Sequence, residues 1–288
     1  MQRIVIHADD VGMCHGANTA FVELSRLGTI SSGSVMVPCP WFAELAALAA
    51  ADPELDIGVH LTLNAEQHGY RWAPLSRPSK AAGLTDDLGQ CWPSVADVRA
   101  NAHPDAVEAE WRAQIDRAVD AGIAVTHLDA HMGSALAPEW CDRYIALGVE
   151  YSIPVLMPAT IGVYGPNNHL ADVTDDEFAP FVRQAREAGM PIFDVVLETD
   201  FGRERKVDHD YPAMLRSADA DLVYCAYHPC APGDVEVIEP GAHHVRVDEY
   251  DLFSTADWSA WLTDQPFEVI GMRGLWGGTR LDLTLGAC

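Results

Sequence analysis

Two adjacent carboxylates, Asp9 and Asp10, end an apolar run at the beginning of the chain. Ionised carboxylates side by side repel each other, so a buried pair needs a cation, a shared proton or open water as compensation. A structural alternative exists, because paired aspartates are also common in turns and at helix caps. The pair therefore indicates a metal site, acid–base chemistry or a turn, and other parts of the chain must distinguish these.

Three further apolar runs end in histidine, at His60, His131 and His228. If these runs are parallel strands, their carboxyl ends gather on one face of the sheet, where the reactive groups of such folds lie. Asp10, His60 and His131 then offer one carboxylate oxygen and two imidazole nitrogens. Such a set binds a divalent metal and leaves positions for water and substrate. Because imidazole must be neutral to bind, metal affinity should weaken in acid.

The strand that leads to His131 also carries His127 and Asp129, which share its face by the two-residue period of a strand. We expect only His131 at the mouth of the fold, with the other two deeper and supporting the ligands. An alternative uses His127, Asp129 and His228 as the two-histidine, one-carboxylate iron site of an oxygenase. Such oxygenases are typically jelly rolls of short strands, so helical segments in this chain count against that alternative.

Apolar runs alternate with helical patterns along the chain, which indicates an α/β fold. Strands are predicted from residue 3 to the acidic pair and at residues 30–37, 55–63, 126–131, 154–157, 192–197, 220–229 and 268–272. Helices are predicted at residues 18–27, 41–51, 104–121, 139–147, 175–188 and 258–262, and a long functional loop at 64–103. This alternation predicts a mainly parallel sheet with helices outside it, open or closed as a barrel.

A regular strand would send Asp9 and Asp10 to opposite faces of the sheet. Both can therefore serve one site only if the chain turns at the end of the strand. Gly12 and Gly16 follow closely and permit such a turn.

The composition is that of an ordinary globular chain, with 288 residues, 49% hydrophobic and 21% charged. No shift in composition marks a boundary, so we expect a single domain over residues 1–288. The formal net charge of -25, from 18 Lys+Arg against 43 Asp+Glu, repels phosphate backbones and anionic membranes. Nucleic acid and membrane partners are therefore not expected.

Seven cysteines are scattered without Cys-x-x-Cys spacing, which favours reduced thiols in a cytoplasmic protein. The first predicted strand begins within a few residues of the N-terminus and leaves no room for a signal peptide. No apolar run approaches the ~20 residues of a membrane span.

Several motifs, taken in order, resemble those of the YdjC-like carbohydrate deacetylases, also called the ChbG type. These enzymes are metal-dependent relatives of the polysaccharide deacetylases. The resemblance covers most of the first 135 residues and returns near His228. Its motifs lie at residues 7–12, 58–61, a helix containing 110–114 before 126–131, and 227–229.

The resemblance implies roles for individual residues. It makes Asp10, His60 and His131 the ligands of one divalent metal ion, Mg²⁺ or Zn²⁺. It makes Asp9 the catalytic base and His228 the general acid. Base and acid on opposite sides of the reacting amide would require these two residues to face each other across the metal. It further implies a deformed (β/α) barrel, a small N-acetylated sugar as substrate, hydrolysis of its N-acetyl group, and a homodimer.

The chain departs from the family pattern directly after the third motif. Where the family usually continues with histidines, this sequence has Met132, Gly133, Ser134 and Ala135. The metal set survives this change, but the sugar subsite is expected to differ. Arg246 is a candidate contact to substrate or base, with a surface salt bridge as its alternative. A non-catalytic carbohydrate-binding protein on the same fold is a further alternative, and it predicts sugar binding without acetate release.

Overall fold

A single sheet collects strands from almost the whole chain in the computed structural model, which describes residues 1–164, 169–203 and 209–276. Its strands are β1 (Arg3–Val11), β2 (Ser32–Val35), β3 (Ile57–Leu61), β4 (Leu128–Ala130), β5 (Val195–Glu198), β6 (Leu222–Tyr227) and β7 (Glu268–Val269). The helices are α1 (His15–Leu27), α2 (Phe42–Ala51), α3 (Val95–Asn101), α4 (Pro104–Asp120), α5 (Cys141–Tyr151), α6 (Asp175–Glu187), α7 (Tyr211–Ser217), α8 (Val235–Ile238), α9 (His243–Phe253) and α10 (Ala256–Thr263).

The sheet is a curled half-barrel of parallel strands flanked by helices. Its strand order is β4-β3-β2-β1-β6-β5, and β7 pairs with the beginning of β1. An extended segment connects the two edges: Leu128 N donates to Pro154 O at 2.9 Å, and Phe193 N donates to Met157 O at 2.9 Å. The predicted fold class, a deformed barrel of mainly parallel strands, is confirmed.

Burial on both faces explains why the strands are apolar along most of their length. Ile4, Val5 and Ile6 of β1 are fully buried, and every residue of β3 and β6 is buried as well. Because the strands are parallel, their carboxyl ends lie together at one end of the half-barrel.

Helix α4 positions the loop that follows β3. The Gln114 side chain accepts a hydrogen bond from Thr62 N at 2.9 Å and donates one to Thr62 O at 2.7 Å. Glu110, one turn earlier, accepts hydrogen bonds from the backbone N–H groups of Leu75 and Ser76 at 3.0 and 2.8 Å. The buried polar pair on this helix thus fixes both ends of residues 62–76 against the barrel.

Several elements differ from the sequence prediction, which did not include α7, α8 or α9. The region predicted as a loop at residues 64–103 contains α3, whose N-terminus is capped by Ser94 accepting from Asp97 N at 3.1 Å. The predicted strand at 154–157 is limited to an isolated bridge between Leu128 and Val155. Strand β4 ends at Ala130, because a short 3-10 turn begins at His131.

Two further observations concern membrane-spanning helices and disulfide bonds. Among the residues that the structure describes, no helix has both the length and the apolarity needed to span a bilayer. The six described cysteines are all buried and free of disulfides, while Cys288 lies outside the described residues.

Gly58 makes room inside the barrel for the imidazole of His127. A Cβ at residue 58 would lie 2.5 Å from His127 Nε2. We expect Gly58→Ala to lower the free energy of unfolding by about 1–3 kcal/mol, the usual cost of overpacking a core. Urea denaturation tests this, with Gly69→Ala as the control, because nothing lies within 4 Å of the Cβ position at Gly69. Equal midpoints for the two variants would contradict the packing argument.

Candidate active site

The chain turns at Asp10 itself, which brings both members of the acidic pair to one side. Asp10 has a left-handed φ of 58°, a conformation that aspartate tolerates better than most residues. The register of β1 against β2 shifts between Ala8 and Val11 at this point. Gly12 also has a positive φ, whereas Gly16 does not, so the expectation that the two glycines make the turn was only partly right. As a result, Asp9 and Asp10 line the same cavity.

Asp10, His60 and His131 lie together in a buried cluster, with one ligand atom of each within 4.8 Å of the others. Asp10 Oδ1 is 3.0 Å from His131 Nδ1 and 3.4 Å from His60 Nε2. Two ligands about 2.1 Å from one ion lie about 3.0 Å apart at a right angle and about 3.4 Å apart at a tetrahedral angle. The donor types and spacings therefore fit a divalent cation.

Asp129 and Ser34 hold the ring of His60 in place. His60 Nδ1 lies 3.1 Å from Asp129 Oδ2 and 3.0 Å from Ser34 Oγ, which leaves Nε2 facing Asp10. A carboxylate on the far nitrogen is the usual support of a metal-binding histidine. The expected deeper placement of His127 and Asp129 is confirmed, since both are fully buried below the mouth of the barrel.

Glu66 supports His131 in the same manner, a role that was not predicted from the sequence. Glu66 Oε2 lies 2.9 Å from His131 Nε2, while His131 Nδ1 faces Asp10. Glu66 follows β3 by five residues, in the loop that Gln114 and Glu110 anchor. A carboxylate shortly after a strand that ends in histidine was the signal that could have identified it.

Arg246 is buried and belongs to the site, so the alternative of a surface salt bridge is wrong. Its Nη1 lies 2.8 Å from Asp10 Oδ2, and its Nε pairs with Glu239. Burial opposes ionisation of Asp10, but Arg246 and His131 outweigh it and hold the pKa of Asp10 well below its ordinary value. Asp10 therefore carries a full negative charge shared between the arginine on one oxygen and the imidazoles on the other.

Asp9 is fixed by a line of buried side chains that runs through the barrel. His7 Nδ1 lies 2.6 Å from Asp9 Oδ1, and His7 Nε2 lies 2.8 Å from His127 Nε2. His127 Nδ1 in turn lies 2.9 Å from Thr126 Oγ1, which donates to Asp56 at the opposite end of the barrel. This line immobilises one oxygen of Asp9, and the other oxygen lies on the side of His228.

His228 faces the acidic pair from the end of β6. Its Nε2 is 3.9 Å from both Asp9 Oδ2 and Asp10 Oδ2, and its Nδ1 is 2.9 Å from Thr199 Oγ1. Thr199 Oγ1 donates to Glu249 Oε1 at 2.7 Å. Burial lowers the pKa of His228 to about 4 although the two aspartates oppose this shift, and burial raises the pKa of Glu249 to about 7.

These groups open into a cavity of about 240 Å³. Its wall also contains Tyr164, Phe201 and Met132, the residue that replaces the family's histidine after the third motif. Two aromatic side chains near the motifs do not line this cavity: Tyr227 packs against Phe253 in the core, and Trp92 donates to Gly83 O at 2.7 Å. Glu198, at the end of β5, is a further wall residue that was not predicted from the sequence.

The alternative iron site is not formed. Within the described part of the chain, the metal-type cluster that contains both His127 and Asp129 has His7 as its third member. His228 instead lies against Asp9 and Asp10 at the mouth. The two-histidine, one-carboxylate set proposed for an oxygenase therefore has no common centre.

Comparison with known proteins identifies the family. The family described as YdjC-like protein matches residues 3–264. The chain belongs to the YdjC-like family. A carbohydrate deacetylase of Brevibacillus brevis is 31% identical to this YdjC-like chain over 268 residues, covering 93% of the chain and 97% of that relative. Carbohydrate deacetylase 1 of Listeria innocua is 35% identical over 277 residues, covering 95% and 100%.

A solved structure shares the overall fold of this chain. It is described as a cellobiose-phosphate cleavage protein from Enterococcus faecalis, and it matches with a TM-score of 0.76 at 19% identity. The match covers 96% of this chain and 99% of that one. At this identity the likeness concerns the fold alone.

The pKa values of the two clustered histidines predict how this YdjC-like protein responds to pH. Burial disfavours protonation of His131, but Glu66 and Asp10 outweigh it and raise its pKa to about 9. Asp129 and Asp10 similarly raise the pKa of His60 well above 6.5. A metal held by these two histidines would have to displace their protons, so its affinity should rise about tenfold per pH unit for each proton released, from neutral pH to about pH 9.

The stability of the metal-free protein should change in the opposite direction. A histidine whose pKa is raised in the folded state stabilises the fold fully below its unfolded pKa near 6.5, and this contribution is lost as the pH rises through about 9.

Calorimetric titration in buffers of different protonation enthalpy measures the protons released on metal binding and so tests the predicted pH dependence of metal affinity. A metal affinity independent of pH in this range would contradict the assignment of His60 and His131 as ligands.

Proposed function

We propose that this protein is a metal-dependent hydrolase that removes the N-acetyl group from a small amino sugar. One observation carries the proposal: the cluster of Asp10, His60 and His131 lies at the mouth of the barrel with Asp9 and His228 directly beside it. A binding protein needs no such combination of metal-type ligands, an anchored carboxylate and an imidazole nitrogen that faces this carboxylate at 3.9 Å. The curated relatives named carbohydrate deacetylases support the same reaction.

The metal-type cluster supplies the electrophilic part of this chemistry. A divalent ion bound there would polarise the acetyl carbonyl and lower the pKa of water. His60 and His131 would be its nitrogen ligands and Asp10 its oxygen ligand. Asp129 and Glu66 would keep the imidazole rings oriented, since each contacts the nitrogen turned away from Asp10.

Asp9 and His228 supply the proton transfers. The oxygen of Asp9 that is not held by His7 accepts the proton of the attacking water. His228 Nε2, on the other side of the reacting amide, donates a proton to the departing amine. Thr199 and Glu249 hold His228 through Nδ1. Because the pKa of His228 is lowered to about 4, the resting ring is neutral and must take up a proton during the reaction before it donates one to the amine.

The charge of the cavity favours neutral substrates and amine products. Among the described residues of its wall, Arg246 is the one arginine or lysine. Five wall residues are carboxylates: Asp9, Asp10, Glu66, Glu198 and Glu239. A sugar phosphate would be repelled, whereas the amine released by deacetylation is a cation. The volume of about 240 Å³ is below the roughly 300–1,000 Å³ of typical drug-sized sites, which suits one sugar ring.

Acetate release from a panel of sugars tests the proposal. The panel contains N-acetylglucosamine, its β-1,4-linked dimer, N-acetylglucosamine 6-phosphate and an O-acetylated sugar. We expect release from the neutral N-acetyl sugars, abolished by chelation and restored by a divalent metal, with kcat/KM at least about tenfold lower for the phosphate. Chelator-insensitive release would remove the metal mechanism, and sugar binding without any acetate release would favour a non-catalytic role.

A further inference from the structure

A sulfur-rich cluster packs beside the candidate active site and takes no part in the proposed reaction. It contains Met13, Cys14, Met36, Cys39, Cys91 and Cys230 within one buried hydrophobic cluster. Cys14 and Cys230 are separated by 216 positions in the chain, yet their sulfur atoms lie 3.5 Å apart. That is a non-bonded contact, since a disulfide would hold them at about 2.05 Å.

We propose that Cys14 and Cys230 are a redox-active pair, which a peroxide converts into a disulfide linking the loop after β1 to the loop after β6. Cys14 follows Asp10 by four residues, and Cys230 follows His228 by two. The bond would therefore join the two segments that carry the acidic pair and the facing histidine.

The position of Cys14 resembles that of reactive cysteines in general. Cys14 is the N-cap residue of α1, and helix N-termini are positions at which the pKa of a thiol is lowered. The hydrogen bond from Cys230 lowers the pKa of Cys14 to about 7, burial opposes the shift, and the N–H of Ala17 and the charge of Arg246 assist it. The thiolate is the nucleophilic form, so Cys14 is the sulfur that attacks.

The backbone holds Cys230 against Cys14 through close packing at Gly16. A Cβ at residue 16 would lie 2.4 Å from Ala231 O and 2.9 Å from Cys230 Sγ. Ala231 N donates to Gly16 O at 3.0 Å, and Cys230 N donates to Arg246 O at 3.0 Å. The absence of a side chain at Gly16 therefore lets the two loops approach closely enough for a sulfur–sulfur bond.

The proposed reaction balances with hydrogen peroxide as the oxidant. The Cys14 thiolate attacks one peroxide oxygen, the O–O bond breaks, and hydroxide leaves, giving a sulfenic acid on Cys14. The Cys230 sulfur then attacks the Cys14 sulfur and displaces the hydroxyl group as water, with the thiol proton. Two thiols and one peroxide thus become one disulfide and two waters. Because both cysteines are buried, a small oxidant is favoured over a bulky disulfide reagent.

Peptide mapping of the whole protein after peroxide treatment tests the pair. Trypsin places Cys14 in the peptide 4–26 and Cys230 in the peptide 217–246, which also contains Cys225 as an internal control. We expect these peptides to become linked through Cys14 and Cys230, and two of the seven thiols to disappear until a reductant is added. Fragmentation should show Cys225 still alkylated.

Two outcomes would overturn the inference. One is a thiol count that stays at seven under peroxide conditions that oxidise the unfolded chain, and the other is linkage of Cys225 as often as Cys230. In Cys230→Ser the link should be lost, and dimedone should capture a sulfenic acid on Cys14. Failure of dimedone to label Cys14 in the folded variant would contradict its role as the attacking sulfur. None of these readouts depends on deacetylase activity.

Discussion

Asp10→Asn is expected to abolish divalent-metal binding and to reduce acetate release by at least about 10³-fold, because metal polarisation contributes several kcal/mol to such reactions. The substitution replaces the only carboxylate of the cluster formed with His60 and His131 by a neutral amide. It also removes one of the two carboxylates that pair with the buried Arg246. Metal titration by calorimetry and acetate release measure the two effects.

Matched variants separate loss of the ligand from loss of the fold. His60→Gln and His131→Gln should lose metal binding in the same way, whereas His15→Gln should not, since His15 is an exposed imidazole paired with Glu44. Circular dichroism should show folded protein in each case, because Glu239 still pairs with Arg246. Wild-type metal affinity in a folded Asp10→Asn protein would exclude this residue as a ligand.

Asp9→Asn is expected to lower kcat by about 10²–10⁴-fold while leaving metal affinity close to that of the wild type, the signature of a lost general base. The amide oxygen can still accept the hydrogen bond from His7, so the fold and the line of side chains to His127 should persist. Initial rates at saturating metal, together with calorimetry, distinguish this result from that of Asp10→Asn.

Asp87→Asn provides the control for Asp9→Asn, because it removes an equal charge from a fully exposed side chain. Its kcat should match the wild type. A kcat for Asp9→Asn within a fewfold of that control would show that another group accepts the proton. A joint loss of metal affinity would place Asp9 among the ligands instead.

The sequence predicted where the reactive residues gather better than how they are held. Apolar runs ending in Asp or His identify the carboxyl ends of parallel strands, and a parallel sheet must bring those ends together. Asp10, His60 and His131 meet for this reason. His228 lies beside them because β6 is the direct neighbour of β1. However, no single motif predicts the order of the strands in the sheet.

The roles of the supporting residues could not be predicted from the sequence, because they depend on contacts between residues that are distant in the chain. Glu66 lies in a loop without periodicity, and only the anchoring of that loop by α4 brings it to His131. Arg246 was a candidate contact to substrate or base, but its actual partner, Asp10, followed only from the packing of α9 at the barrel mouth. The left-handed turn at Asp10 was assigned to nearby glycines, because nothing in sequence reveals which residue adopts a positive φ.

An anomalous-difference map at the zinc edge, from crystals of the zinc-loaded protein, tests most directly whether Asp10, His60 and His131 bind one metal ion. We expect one peak about 2.0–2.2 Å from Asp10 Oδ1, His60 Nε2 and His131 Nδ1, with Asp9 and His228 facing it. A map with no peak at this cluster, or with its peak among His7, His127 and Asp129 instead, would contradict it.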